Sequence, residues 1–323
     1  MDTWDVVVIG AGVCGLTVAH TLSEQGKSVV LLDKGSRAGG RLASRSLGGV
    51  LMNTSVDTVR LSDPAVMTEI SLRTGAQFRP TPAEPESDGS AGSPPGDWTW
   101  VLESPAAEVA ERWAVGTTIQ HTYVTHVDAI ESGLYPVRPH GTGDPIRAAA
   151  VVLTAPAPQS SEILLHSAID LTATLDTVAY EQRVVLLCVL DGPSPEEAVL
   201  NESTVVDLIR IRHREGLVWM ELLGSARWSQ SMFLKDTNYT HSAMLVELRR
   251  LYPGARVMNS EIKRWRYADA HRAVTDATFA LSSHHPGIYV AGDGFGPVYE
   301  HPSGIENAVR SGLDVAHALM NAG

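Results

Sequence analysis

The sequence has little cysteine and no long apolar run. Cys14 and Cys188 are the only two cysteines in 323 residues, which argues against a disulfide framework. No apolar run reaches the roughly 18 residues that a membrane-spanning helix needs. The first residues enter a strand pattern at once, without the basic region or cleavage site of a signal peptide. We therefore expect a soluble, cytoplasmic protein that does not act at a membrane.

Positive charge is also scarce. The chain has 25 Lys and Arg against 37 Asp and Glu, which gives a formal net charge of −12. An acidic chain without a basic run is a poor candidate for binding nucleic acid or anionic lipid. No metal-ligand cluster, P-loop or Ser-His-Asp order is present, and the spacing of His121 and His126 fits neither a metal site nor an acid–base pair.

The most informative residues lie near the N-terminus. An apolar, β-branched run at residues 6–9 predicts a buried parallel strand, and Gly10, Gly12 and Gly15 follow it as G-x-G-x-x-G. A helical segment and a second apolar strand come next, and that strand ends at the acidic Asp33. A glycine pattern between a strand and a helix, with an acidic residue about 20 residues on, is the fingerprint of a dinucleotide-binding unit.

Each residue of the fingerprint has a physical reason. Gly10 allows the tight turn, Gly12 lets the backbone approach a pyrophosphate, and Gly15 lets the helix pack closely on the strand. The helix N-terminus offers unpaired amides and partial positive charge to phosphates, and Asp33 would accept hydrogen bonds from ribose hydroxyls. The alternative is a glycine-rich turn in an ordinary α/β protein.

A second turn narrows the choice of dinucleotide. Residues 39–42 read G-G-R-L, which resembles the G-G-R-[LM] turn of the flavoprotein amine oxidase family, most closely its renalase-like branch. The resemblance implies FAD as cofactor, with this turn packed on the pyrophosphate and Arg41 paired with phosphate. Residues 148–159, with A-x-P-x-P-Q, and residues 263–268, K-R-W-R-Y-A, are similar to the same branch, although Lys263 replaces its usual His.

The C-terminal stretch carries the third strong resemblance. Residues 287–293 read as a strand ending in A-G-D, and an apolar helix pattern follows from Gly304. The resemblance implies that Asp293 accepts from the ribityl or pyrophosphate region, and that the helix N-terminus stabilises negative charge at flavin N1. The match is lost at residues 48–57, where the branch carries Asp-x-Gly-Ala-Gln near the flavin.

Val127, three residues before Ile130, resembles a Val of the two-dinucleotide-domain flavoproteins, and the resemblance implies that its backbone contacts adenine; the alternative is an ordinary buried strand residue. Together the fingerprint and the resemblance give a full set of expected cofactor-binding residues. They are Gly10, Gly12, Cys14, Gly15, Asp33, Lys34, Gly40, Arg41, Leu42, Val127, Gly292, Asp293, Gly304, Ile305 and Ala308.

These segments predict an α/β fold. We expect a Rossmann-type FAD-binding domain with a doubly wound parallel sheet, built from residues 1–80, 105–159 and 262–323. It would be interleaved with an α+β substrate domain at residues 160–261, whose sheet is mostly antiparallel. Residues 81–104 would form a loop and a strand, and the Pro-, Ser- and Gly-rich stretch at 81–97 would be a mobile surface loop or a lid.

The resemblance implies an FAD-dependent oxidoreductase, an oxidase or a dehydrogenase, acting on a small molecule. The leading hypothesis is hydride transfer from a small organic or dihydronicotinamide substrate to flavin N5, with oxygen as the expected electron acceptor. The alternatives are an amine oxidase or desaturase and, in another class, a non-catalytic FAD-binding protein. No catalytic residue can be assigned. The pocket candidates are Trp265, Tyr267, Trp219 and His213.

Overall fold

A computed structural model describes residues 3–54, 58–80, 98–167, 169–191, 203–214, 217–271, 277–296 and 304–322. The predicted loop at 81–97 lies outside the described residues. The chain divides into two compact units, one of residues 1–43, 56–179 and 270–323 and the other of residues 44–55 and 180–269.

In chain order the strands are β1 (Thr3–Ile9), β2 (Val29–Asp33), β3 (Ser44–Leu47), β4 (Val50–Asn53), β5 (Thr58–Leu61), β6 (Arg79–Pro80), β7 (Trp98–Val101), β8 (Thr118–His121), β9 (Val124–Val127), β10 (Tyr135–Pro139), β11 (Ile146–Leu153), β12 (Ala179–Tyr180), β13 (Arg183–Asp191), β14 (Val206–Arg214), β15 (Leu217–Gly224), β16 (Arg256–Trp265), β17 (Ala270–His271), β18 (Phe279–Leu281) and β19 (Ile288–Ala291). The helices are α1 (Val13–Glu24), α2 (Pro64–Thr74), α3 (Ala106–Trp113), α4 (Ala157–Leu165), α5 (Thr172–Leu175), α6 (Ala226–Met232), α7 (Thr237–Leu251) and α8 (Gly304–Asn321).

The first unit is built on a mixed sheet in the order β18-β19-β11-β1-β2-β8, with β10 and β9 joined to β11. The pairs β19–β11, β11–β1, β1–β2 and β2–β8 are parallel. Residues 6–8 and 30–32 of the central strands are at most 4% exposed, as expected for strands covered on both faces. The predicted Rossmann-type α/β fold is confirmed.

Helices α1 and α8 pack against each other beside this sheet. Leu16, Val18, Val309 and Val315 are fully buried in the shared core. Gly312 permits the close approach, because a methyl group there would lie 2.8 Å from the Cys14 carbonyl oxygen and 2.9 Å from Thr17 Cβ. The N-terminal and C-terminal motifs are therefore parts of one packed unit.

The second unit contains an antiparallel sheet in the order β14-β15-β13-β16 and the hairpin β3–β4. One face carries Leu186, Met220 and Ile262 and packs on Met244 and Leu248 of α7. The other face carries Leu187, Trp219 and Trp265 and packs on Leu47 and Met52 of the hairpin. The sequence interpretation assigns no strand to residues 206–214, which form β14. Charged and apolar residues alternate along β14, as in a half-buried strand.

The unit boundaries differ from the expected division in three places. Residues 160–179 stay with the first unit, because the Pro-rich turn after β11 leads into α4 rather than directly out of the domain. Residues 44–53 fold as a hairpin of the second unit, reversed at Gly48 and Gly49, which both have positive φ. Residues 262–269 also belong to the second unit.

Two local expectations need correction. The sequence of residues 118–131 predicts one extended segment, but a turn divides it into β8 and β9, and in this turn the Thr122 amide donates to the Asp33 carbonyl oxygen at 2.8 Å. The sequence at residues 263–268 predicts a strand with Trp265 and Tyr267 on one face, but β16 ends at Trp265. Tyr267 lies in a turn, since Glu181 exchanges backbone hydrogen bonds with Ala268 and Asp269.

Candidate functional site

The glycine turn after β1 has little room on one side and open space on the other. A methyl group at Gly15 would lie 1.9 Å from the Gly10 carbonyl oxygen, whereas one at Gly12 would meet nothing within 4 Å. Gly10 has φ +111°, and its carbonyl oxygen accepts a hydrogen bond from the Thr154 hydroxyl at 2.8 Å. Gly15 and Gly10 are thus required by the fold, while the open side of Gly12 suits a ligand.

Gly12 is the N-cap of α1 and makes no side-chain cap. The amides of the first turn of α1 are therefore available to an anion. Cys14 lies in that turn with its side chain buried against α8, and burial raises the pKa of its thiol above the usual value, partly offset by a hydrogen bond with Ser311. The thiol is a packing group, and what the position offers a ligand is its backbone amide.

Asp33 joins the end of β2 to the glycine turn. Its Oδ2 accepts from the Ala11 amide at 2.7 Å, and its Oδ1 accepts from the Gly35 amide at 2.6 Å. Each carboxylate oxygen keeps a further lone pair for a ribose hydroxyl. Lys34, the next residue, is exposed.

The G-G-R turn docks on the glycine turn. The Gly39 amide donates to the Ala11 carbonyl at 2.7 Å, and Gly39 forms an isolated parallel bridge with Gly12. A methyl group at Gly39 would lie 2.4 Å from Ala110 Cβ, and one at Gly40 would lie 3.3 Å from the Gly12 Cα. Leu42 anchors the turn in the core with 2% exposure.

Arg41 connects the G-G-R turn to the turn after β19. Its guanidinium lies 2.7 Å from Oδ1 of Asp293, whose side chain is only 5% exposed. A methyl group at Gly304, the first residue of α8, would lie 3.5 Å from Asp293 Oδ2. The acid at the end of β19, the arginine of the G-G-R turn and the beginning of α8 are therefore neighbours.

The polar residues of α8 hold the helix in place. Glu306, 2% exposed, accepts from the amide and hydroxyl of Ser62 at 2.7 Å each and from Arg310 at 2.8 Å. Arg310 also donates to Asp63 at 2.9 Å. Burial alone would raise the pKa of Asp63, but the hydrogen bonds from Arg310 and from the Ala65 amide outweigh it and lower this pKa. The Gly292 amide donates to Ser311 Oγ at 2.8 Å.

The remaining α8 residues expected to contact the cofactor differ in burial. Ala308 is 7% exposed in the core shared with α1, Ile305 packs partly against that core, and Gly304 is exposed. The first turn of α8 thus presents Gly304 outward, while Ala308 is a packing residue.

Val127 is the residue that was expected to contact adenine. It is fully buried at the end of β9, and its amide donates to Ser167 Oγ at 2.9 Å. Val124, 4% exposed, begins β9 directly after the turn that bonds to Asp33. The sequence predicts a single extended segment, which gives no reason to choose Val124 rather than Val127 as the residue near adenine. The turn at 122–123 is the feature that distinguishes the two residues.

The four pocket candidates of the second unit are only partly brought together. Trp219 and Trp265 lie in one apolar cluster, and Trp265 Nε1 donates to the Thr54 carbonyl at 2.8 Å. His213 is exposed and lies opposite Val218 in the sheet, on the face opposite Trp219. Tyr267 packs edge-on against Tyr180, with ring centroids 5.4 Å apart.

Lys263 shares the face of Trp219 and Trp265. Its Nζ lies 4.4 Å from the centroid of the Trp265 ring, a distance suited to a cation–π contact. Burial and the nearby Arg45 lower the pKa of the Lys263 ammonium, opposed by Glu261. Arg45 itself pairs with Glu261 at 2.9 Å.

Two negative findings apply to the described part of the chain. No three His, Cys, Asp or Glu side chains come together in it as a metal-binding group. None of its helices combines the length and the apolar character needed to cross a membrane.

Comparison with known proteins agrees with this geometry. Residues 8–69 match the family model of an NAD(P)-binding Rossmann-like domain. The chain is 33% identical over 76 residues to protoporphyrinogen oxidase 2, chloroplastic/mitochondrial, of Arabidopsis thaliana, covering 23% of this chain and 15% of that protein. It is 36% identical over 80 residues to putrescine oxidase of Kocuria rosea, covering 23% and 16%. The matched stretch is thus a small part of each relative.

The whole chain resembles solved oxidase structures in fold. A putrescine oxidase triple mutant with redesigned cofactor binding aligns with a TM-score of 0.73 at 15% identity, over 99% of each chain. Cyclohexylamine oxidase from Brevibacterium oxydans IH-35A aligns with a TM-score of 0.71 at 12% identity, over 99% of each chain. The comparisons therefore show a Rossmann-like domain over residues 8–69 and a whole-chain fold that is shared with these oxidase structures.

Proposed function

We propose that this chain is an FAD-dependent oxidoreductase that oxidises a small organic molecule. One observation carries the proposal: three turns of the first unit are bonded in series. Gly39 joins the G-G-R turn to the glycine turn, and Arg41 joins it to Asp293 after β19. A glycine turn alone would serve any dinucleotide, whereas the added G-G-R and A-G-D turns are features of the flavoproteins that the sequence resembles.

The residues present fit FAD. The open side of Gly12 and the first-turn amides of α1 suit the pyrophosphate, and Arg41 supplies a positive charge beside them. Asp33 and Asp293 are acceptors for hydroxyl groups. Most of the cofactor-binding residues expected from the sequence belong to these three turns or to the helices that follow them; the exceptions are Asp33 and Lys34, at the end of β2, and Val127.

For the adenine we favour Val124 over Val127. The Val127 amide already has Ser167 as a partner, and Val124 follows the turn that contacts Asp33. If Asp33 holds the ribose, the adenine attached to that ribose falls nearer to Val124.

FAD, when bound, would supply the hydride acceptor at N5. The chain's own part is to hold the cofactor, to orient the substrate and to exclude water. Following the renalase-like resemblance, our first substrate class is a small organic or dihydronicotinamide molecule, with oxygen taking the electrons afterwards.

A second candidate is oxidation of an amine, because one observation favours it. An amine site needs aromatic side chains and a desolvated base. The second unit has Trp219 and Trp265 in one cluster and, on the same face, Lys263, whose pKa is lowered by burial. Lys263→Met would then slow flavin reduction by amines and leave the FAD content unchanged.

The test is anaerobic titration of FAD-loaded protein with two panels, dihydronicotinamide isomers and small amines. We expect loss of the yellow flavin absorbance with a member of the first panel, and its return on admission of air. Reduction by amines alone, slowed by Lys263→Met, supports the second candidate. Failure to take up FAD contradicts the proposal, and flavin that no panel member reduces supports a non-catalytic binding protein.

A further inference from the structure

Asn307 is a buried polar residue in the first turn of α8 whose amide oxygen is not used by the fold. Its side chain is 3% exposed, and within the described residues its Oδ1 makes no hydrogen bond. Buried polar side chains in proteins nearly always have a partner, so each exception requires an explanation. A bound ligand is one such explanation.

The neighbouring polar residues of α8 are accounted for by the fold. Glu306 accepts from Ser62 and Arg310, and Ser311 accepts from the Gly292 amide. These contacts join α8 to the β5–α2 connection and to the end of β19. Asn307 lies between them in sequence, and its oxygen is left for another donor.

Asn307 points at the turn that carries Asp293. A methyl group at Gly296 would lie 3.6 Å from Asn307 Oδ1, just as one at Gly304 would lie 3.5 Å from Asp293 Oδ2. The amide oxygen of Asn307 therefore lies beside the turn after β19, and the carboxylate of Asp293 lies beside the first residue of α8, a helix N-terminus that favours negative charge. A ligand with hydroxyl donors next to an anionic group meets all three requirements.

We propose that Asn307 is a cofactor-binding residue whose side-chain oxygen accepts a hydrogen bond from a hydroxyl of the polyol chain of FAD, beside Asp293. The inference rests on the proposed FAD function. It adds a contact from α8 that neither the fingerprint nor the G-G-R turn contains.

The test compares Asn307→Leu with the unchanged protein. The two side chains are close in size, and replacing an unpartnered buried amide with an apolar group does not destabilise a fold. We expect the cofactor-free variant to unfold at the same temperature as the unchanged protein or higher. We expect its Kd for FAD, measured by flavin fluorescence, to rise about 3- to 10-fold, the effect of one lost hydrogen bond.

The ligand side supplies a second arm. FAD analogues lacking single ribityl hydroxyls are titrated into both proteins, and the analogue without the contacted hydroxyl should bind them equally. Thr21→Val is the matched control, since Thr21 Oγ1 in α1 is another buried atom without a partner among the described residues. This substitution should leave the affinity for FAD unchanged.

The outcomes separate the two claims. If the unchanged protein binds no FAD, the proposed function and this inference fail together. If it binds FAD and Asn307→Leu binds equally well, the inference alone fails. It also fails if Asn307→Leu unfolds at a lower temperature without FAD, because Asn307 is then a structural residue.

Discussion

Gly12 and Gly15 look alike in the motif but have opposite surroundings. A methyl group at Gly15 would overlap the Gly10 carbonyl, and one at Gly12 would point into open space. Gly12 also has φ −76°, a value that alanine adopts freely. We therefore expect Gly12 to leave space for a ligand and Gly15 to be required by the fold. A pair of substitutions separates these two roles.

Gly15→Ala should lower the free energy of unfolding of the cofactor-free protein by about 1–3 kcal/mol or more, the usual effect of overpacking. Gly12→Ala should change it by less than about 0.5 kcal/mol and yet weaken FAD binding at least about 10-fold, because its methyl group takes the space of the pyrophosphate. Urea unfolding and flavin titration measure the two quantities. Equal FAD affinity in Gly12→Ala would show that the phosphates lie elsewhere.

At this scale the sequence predicts residues whose chemistry depends on the local turn. Gly10, Asp33 and Asp293 are where the spacing places them, because a strand, a turn and a helix determine one another over a few residues. Val124 and Asn307 could not be selected in this way. The role proposed for Val124 depends on a turn at 122–123. The role proposed for Asn307 depends on which α8 side chains find partners in the β5–α2 connection and just after β19. Both are features of the tertiary structure.

Among the elements, α1 and α3 are connected by a histidine. His20 of α1 donates from Nε2 to the Trp113 carbonyl at the end of α3. Burial lowers the pKa of His20 below its usual value, Arg73 adds to the effect, and the Trp113 carbonyl, Glu69 and Glu24 oppose it. The folded chain therefore holds His20 neutral at pH values where the unfolded chain already binds a proton.

A lowered pKa in the folded state means that the folded chain binds fewer protons than the unfolded one. The contribution of His20 to the free energy of unfolding is therefore fully present above the pKa of about 6.5 that His20 has in the unfolded chain, and it decreases as the pH falls toward the lower pKa of His20 in the folded chain. His20→Gln should remove this part of the pH dependence. Urea unfolding of the cofactor-free protein from about pH 7.5 to about pH 5 measures it. His213→Gln, at an exposed position, is the control, and a slope unchanged by His20→Gln would contradict the argument.

Element prediction from sequence succeeded where hydrophobic period and end signals agree. The Asp-Pro-Ala start at residue 63 and the amphipathic pattern at residues 66–75 predict a helix. In the structure α2 begins after Asp63, whose side chain accepts from the Ala65 amide, and ends at Gly75 with φ +70°. The strand β14 was missed because Arg210 pairs across the sheet with the 5%-exposed Glu221 at 2.7 Å. A charged residue made acceptable by a partner on another strand cannot be recognised from one segment.

On the scale of the whole molecule, the chain passes between its two units at residues 43–44, 55–56, 179–180 and 269–270. The motif-bearing segments of the sequence predict two interleaved units. The sequence does not predict where the unit boundaries lie, because the unit to which α4 or the hairpin β3–β4 belongs depends on the residues that it packs against and not on its own sequence. The residues of the proposed FAD site, from Gly10 to Asn307, all belong to one unit.

The net charge affects the whole molecule's encounter with an anionic cofactor. The chain carries −12, and FAD carries a pyrophosphate, so the long-range field slows association while Arg41 and the helix N-termini act only at short range. Salt screens the long-range part first. The association rate constant, followed by stopped-flow flavin fluorescence, should therefore rise about threefold or more between about 20 and about 200 mM NaCl.

Substitutions of Arg37 and Arg41 distinguish the long-range effect of the net charge from the short-range effect of the binding-site arginine. Arg37 is exposed and lies 4.0 Å from Glu111, so Arg37→Gln should slow association slightly and leave dissociation unchanged. Arg41→Gln should act mainly on dissociation, because the guanidinium is held beside the buried Asp293 and its loss leaves two negative groups without a cation between them. An association rate that falls with salt would mean that a local positive field at the glycine turn outweighs the net charge.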